Sequence, residues 1–176
     1  MQINPTLSVL NAVSPLDGRY ASRCDSLRPF LSEAGFMAHR VEVEIAWLIG
    51  LSDAGLPEFP AFSTEARTIL KALVANFSET DAEAIKVHER KTNHDVKAVE
   101  YWLKDKAAGH PELERASEFI HFACTSEDIN NTSHALMLTR TRDQVVLPQL
   151  KKLLESLQAI AHAQAAQPML SRTHGQ

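Results

Sequence analysis

Cysteine is scarce: Cys24 and Cys124 are the two present, a hundred positions apart. That spacing excludes a disulfide framework and leaves two free thiols as the plainer reading. No apolar run approaches the ~20 residues of a membrane-crossing helix, so no membrane partner is expected. Near the N-terminus Asn4, Pro5 and Asn11 break up the apolar residues. Neither the basic region nor the apolar core of a secretory signal is visible there, and a cytoplasmic protein is expected. Positive charge is also in short supply. The net charge of −4 argues against nucleic acid as a partner, because phosphate contacts need a basic face. Internal repeats and low-complexity tracts are absent. Of the eight histidines, none forms His-x-x-x-His, and no Cys-x-x-Cys occurs. His88 and His94, six apart, would stand about 240° round a helix from one another. No metal site is expected.

What is present is ordinary globular composition, 44% hydrophobic and 23% charged, enough to bury a real core. Apolar residues recur at helical spacing, and β-branched alternation is nowhere sustained, so the predicted class is all-α. Residues 1–25 are mostly irregular, with turn formers in Ser14-Pro15-Leu16-Asp17-Gly18. A helix begins near Ser32, with Phe36, Met37, Val41, Ile45, Leu48 and Leu51 on one broad face, and stops at Gly55 and Pro57. A second is predicted over 64–77. A third, over 81–91, would start from a Thr80-x-x-Glu83 capping box, and a fourth from Thr92-Asn93-His94-Asp95. Gly109-His110-Pro111 ends the fourth, and a short helical piece follows over 117–122.

The longest pattern opens at Thr125-Ser126-Glu127-Asp128 and runs to about Ala165. Thr125 and Asp128 have capping-box spacing, and Pro148 predicts a kink rather than a break. Such a helix exceeds what a compact chain of this size needs, so it should pack on other long helices, often from other subunits. The expected division is an N-terminal helical domain over 1–123 and the truncated beginning of a central helical bundle over 124–176. The chain is expected to be the N-terminal part of something larger.

Few residues invite a chemical reading. The start of the long helix offers unpaired N–H groups and partial positive charge to an anion, although Thr125 and Ser126 would also serve as a plain cap. Asn93-His94-Asp95 has the same double reading, and Arg19-Tyr20 alone is a solvated turn. His121, between Ile120 and Phe122, is expected to be half-buried and hydrogen-bonded. His174 lies in a non-periodic segment, where an imidazole suits proton transfer near neutral pH. By itself it is a loop histidine.

Together these segments carry a resemblance. Ser-Pro-Leu-Asp-Gly-Arg-Tyr at 14–20, Lys-Thr-Asn-His-Asp-Val-Lys-Ala-Val-Glu-Tyr at 91–101, Glu-Phe-Ile-His-Phe-Ala-Cys-Thr-Ser-Glu-Asp-Ile-Asn-Asn at 118–131 and Ser-Arg-Thr-His-Gly-Gln at 171–176 resemble the adenylosuccinate lyases of bacterial type. These belong to the fumarase/aspartase superfamily. The resemblance covers essentially the whole chain. The 118–131 stretch is specific to it, whereas Thr-His-Gly-Gln is shared with related lyases.

The resemblance implies a β-elimination in purine nucleotide biosynthesis, without metal or organic cofactor. Adenylosuccinate would give AMP and fumarate, and the succinylcarboxamide ribotide would give the aminoimidazole carboxamide ribotide. His174 matches the general acid to the departing nitrogen. Thr125 and Ser126, Asn93, His94 and Asp95, and Arg19 and Tyr20 match three substrate-binding segments. The family's base is a serine on a glycine-containing loop beyond position 176, and its active site is assembled from three subunits of a homotetramer. From these 176 residues alone no turnover is therefore expected. Two alternatives stay open: another lyase of the superfamily, such as argininosuccinate lyase, and a non-catalytic helical interaction module.

Overall fold

A computed structural model describes residues 8–170 and His174. Among them there is no strand, and eight α-helices follow one another: α1 Arg28–Leu31, α2 Glu33–Asp53, α3 Thr64–Ala75, α4 Glu79–Thr92, α5 Asp95–Ala107, α6 Pro111–Arg115, α7 Ser126–Thr141 and α8 Leu147–Ala163. The all-α expectation is borne out.

The centre is α2. Ser32 caps it by accepting from the Gly35 N–H, which satisfies one of the donors every helix start leaves open. Gly35 itself is forced by crowding, because a Cβ there would come within 2.8 Å of the Pro29 carbonyl on α1. The predicted face delivers Met37, Val41, Ile45, Leu48 and Leu51 to the core. They meet Leu70 of α3, Ile85 of α4, and Val99, Trp102 and Leu103 of α5. Phe36 does not join them. It lies half-buried against α7, stacked on the His134 ring at 4.5 Å between centroids.

Two predicted starts are displaced. Helix α4 begins at Glu79, capped by Ser78 rather than Thr80. The Ser78 N–H and hydroxyl both donate to Asp81 Oδ2, at 3.1 and 2.7 Å. Ser-x-x-Asp and Thr-x-x-Glu overlap here, and the earlier pair captures the chain end first. Ser78→Ala should therefore cost about 1 kcal/mol, while Thr80→Ala should leave stability within a few tenths. Urea unfolding of both variants checks the assignment. Helix α5 is capped by His94, not Thr92, which is still the last residue of α4. The short pieces differ as well. Pro111–Arg115 is an unpredicted helix that starts beyond His110, and 117–122 shrinks to a 3-10 turn over Ser117–Phe119.

Helix α7 packs along α2 through Ile129, Ser133, Met137 and Thr141, all buried. Farther along, Arg140 clamps Glu42 with two N–H···O bonds of 2.6 Å. Those bonds hold the Glu42 carboxyl below its ordinary range. A depressed carboxyl contributes stability above its unfolded pKa and loses that contribution as pH falls through the folded value. Glu42→Gln should thus lower the urea midpoint at pH 7, with the gap to wild type closing as the solution is acidified into the carboxylate range. A gap that stays constant with pH would refute the assignment.

Beyond Thr141 the helix does not stop. A π turn over Arg142–Val146 leads directly into α8, with Pro148 in its first turn. The predicted irregularity at Pro148 takes this form: a wider turn just ahead of the residue that lacks an N–H. Helix α8 buries nothing. Its Leu147, Leu150, Leu153, Leu154, Leu157 and Ile160 stand half or more exposed on one stripe.

Candidate active site

Two of the expected segments, each at a helix start, are linked by one residue of α2. The first is the junction between α4 and α5. Asn93 adopts a left-handed conformation (φ 51°, ψ 35°), closing α4 with its N–H on the Glu89 carbonyl at 2.8 Å. Asparagine tolerates that conformation better than most residues. The chain reverses there, and His94 opens α5 with its ring rather than a hydroxyl. Its Nδ1 accepts from the Lys97 N–H at 3.2 Å, so a neutral ring carries its proton on Nε2. The side chain is half-exposed, leaving that N–H available to an acceptor.

The second segment is Thr125-Ser126. The Thr125 N–H and hydroxyl both donate to Asp128 Oδ2, at 2.7 and 2.9 Å, and the expected capping box is present. These bonds hold the Asp128 carboxyl below its usual range. The N–H groups of Ser126 and Glu127, at the first positions of the helix, point away from its ladder. The approach to this start is strained, since His121 (φ 62°) and Ala123 (φ 60°) both stand in the left-handed region. Two contacts with α2 hold it. The Trp47 indole N–H donates to the Phe122 carbonyl at 2.8 Å, and His121 Nδ1 lies 2.6 Å from the fully buried Glu44. Burial pushes the Glu44 carboxyl up, against the pull of His121.

Arg40 joins the two segments. It sits on α2, 3% exposed. Its Nε donates to Asn130 Oδ1 on α7 at 2.9 Å, and an Nη pairs with Asp95 at the start of α5. The guanidinium lies 3.8 Å over the Phe36 ring. Partial burial pushes the Asp95 carboxyl up, but Arg40 and the Val96 N–H outweigh it and hold the group below its ordinary value.

Beside this start runs a groove of about 700 Å³ between α2 and α7, lined by Val43, Trp47, Cys124 and Ile129 among others. None of the expected binding residues lines it. Among the described residues no group of three or more His, Cys, Asp or Glu is placed to hold a metal ion, and no helix is long and apolar enough to cross a membrane.

A family model described as lyase matches residues 18–176. The chain belongs to the lyase family. It is similar to adenylosuccinate lyases from Vibrio cholerae and Haemophilus influenzae, each 56% identical over 171 residues, 97% of this chain. The adenylosuccinate lyase of Legionella pneumophila (strain Corby) is 47% identical over 172 residues. The resemblance seen in the motifs is borne out. This lyase chain spans 38% of the length of the curated relatives it matches.

Other expected residues of the lyase stand apart. Arg19 and Tyr20 end the 14–20 turn on the surface, with the guanidinium 5.3 Å over its neighbour's ring. Among the described residues, no hydrogen bond or ring contact of that turn reaches α4, α5 or α7. His174 is exposed in a turn with φ 52°; its partners in the 171–176 motif lie outside the described residues. Thirty-seven helical steps from Ser126 to Ala163 amount to about 55 Å along the path of the helix. From 163 to 174 even a fully extended chain reaches about 40 Å.

Reading the sequence missed Arg40, Asn130 and Glu44, although a signal existed for two of them. Arg40 and Glu44 fall among Met37, Val41, Ile45 and Leu48 on the apolar side of α2. A charge at such a position demands a buried partner.

Proposed function

We propose that this chain carries part of the active site of a cofactor-free C–N lyase, which eliminates fumarate from adenylosuccinate to give AMP. The same elimination would act on the succinylcarboxamide ribotide to give the aminoimidazole carboxamide ribotide. The reaction removes a weakly acidic C–H proton beside a carboxylate and breaks the bond to nitrogen, which must leave with a proton. His174 is the proton donor to that nitrogen. Asn93, His94 and Asp95, with Thr125 and Ser126, grip the anionic groups of the nucleotide through the His94 Nε2–H and the open N–H groups of α7. Arg19 and Tyr20 suit its phosphate, as a cation and a phenol. The family's proton-abstracting serine is not among these 176 residues.

One observation carries the reading: the buried Arg40 bonds Asp95, the first residue of α5, and Asn130, the fifth of α7, and so ties two distant binding stretches to one side chain. The reach of His174 adds that the acid must come from another copy. A homo-oligomer, a tetramer as the resemblance implies, is part of the proposal. So are a cytoplasmic location and the division of the chain into 1–123 and 124–176.

The test is a chimera in which the 171 matched residues of the Escherichia coli relative, 56% identical, are replaced by those of this chain. It should release fumarate from adenylosuccinate, whereas the 176 residues alone should not. A folded chimera that is inert towards adenylosuccinate, or that turns over argininosuccinate instead, would overturn the reading.

A further inference from the structure

We infer that Arg40 is a positioning residue, which sets the separation between the His94 segment and the start of α7 so that one ligand can engage both. The inference rests on the reading under Proposed function, but its geometry stands independently. An almost wholly buried guanidinium is an expensive group to place on an apolar helix face, and its partners must repay the desolvation. Here those partners are neither random nor local. Asn130 lies 90 positions away in the chain and Asp95 lies 55 away; Asp95 is the first residue of α5 and Asn130 the fifth of α7. The third contact, the Phe36 ring beneath the guanidinium plane, is itself held by stacking on His134 of α7.

Arginine is needed for this. Its rigid planar fork presents donors in two directions at once, while a lysine ammonium on a flexible stem can satisfy one partner and abandon the other. Asp95 adjoins the His94 ring in sequence, with its own Oδ1 accepting from the Val96 N–H at 2.9 Å. Asn130 is tied to Glu127 by a 3.1 Å bond from its amide. A shift of the guanidinium is thereby transmitted to both helix starts. Misplacing a binding group by about 1 Å can cost on the order of 10²-fold in an enzyme, so a clamp of this kind acts on ligand binding without touching the ligand.

A control is available nearby. Arg140 and Glu42 form a bidentate pair between α2 and α7, with no partner on α5. Arg140→Lys should weaken the packing of α7 yet leave α5 alone.

Hydrogen exchange of the 176-residue chain provides one arm. Arg40→Lys should lower amide protection at 98–101 and at 129–132 together, the first helix-bonded amides of α5 and α7, leaving α3 unchanged, whereas Arg140→Lys should leave 98–101 protected. Loss of protection in one segment only, or in neither, overturns the inference. Kinetics of the chimera provide the other arm. Arg40→Lys should raise KM for adenylosuccinate by about tenfold or more at temperatures where the variant remains folded, and Arg140→Lys should change it by less than about threefold. Equal effects of the two substitutions on KM would reduce Arg40 to a structural strut. If the unsubstituted chimera releases no fumarate, the proposed function fails, and exchange alone decides whether Arg40 couples the two segments.

Discussion

His174→Ala in the chimera is expected to lower fumarate release by about 10²-fold or more, the range a positioned general acid contributes. The departing nitrogen is a poor leaving group unless it is protonated as the bond breaks. An imidazole is the side chain suited to holding a proton and giving it up near neutral pH. The loss should fall mainly on kcat, because a donor to the leaving group acts in the transition state more than in the bound substrate. His174→Gln, which keeps the shape and one donor but cannot transfer a proton, should fare no better. Turnover within threefold of the parent would remove His174 from the mechanism.

The position of His174 adds a sharper consequence. The long helix between them argues that the proposed acid serves the anion grip of a different copy. Mixing His174→Ala subunits with subunits impaired in the anion grip, as in His94→Ala, should restore part of the lost activity in hybrid oligomers. Two inactive parents that stay inactive after dissociation and reassembly would mean that both groups come from one copy.

The second large effect concerns α8. The 176-residue chain should self-associate, and Leu153→Glu with Leu157→Glu should make it monomeric by light scattering. Leu150, Leu153, Leu154 and Leu157 follow helical spacing and are each about 55% exposed. Covering the uncovered half of such a side chain contributes roughly 1 kcal/mol, so the stripe as a whole offers several. That exceeds what isolated surface leucines do, and a continuous apolar stripe marks an interface. Two carboxylates in its middle would have to be desolvated on association, which costs far more than the lost leucines alone. Wild-type chain that remains monomeric at high concentration, or a double variant that still associates, would contradict this role for α8.

Several features were legible because they depend on short-range spacing. The apolar face of α2, the Thr125–Asp128 cap and the half-buried His121 follow from periodicity and capping arithmetic. The displaced starts of α4 and α5 show where that arithmetic loses force. Ser78 and Thr80 are equally plausible caps on paper, and a histidine ring is a poor guess for a cap until the chain reversal at Asn93 presents its Nδ1 to the Lys97 N–H.

The sequence by itself therefore determined the helical class, most helix bounds, the long exposed helix and the family resemblance, since all of these reside in local pattern and motif identity. Tertiary structure alone decided that Arg40 unites the 93–95 and 125–131 stretches and that Glu44 holds His121. Contacts between residues 55 to 90 positions apart depend on how helices are laid against one another. That arrangement comes from burying the α2 face on α5 and α7 together, and no window along the chain contains it.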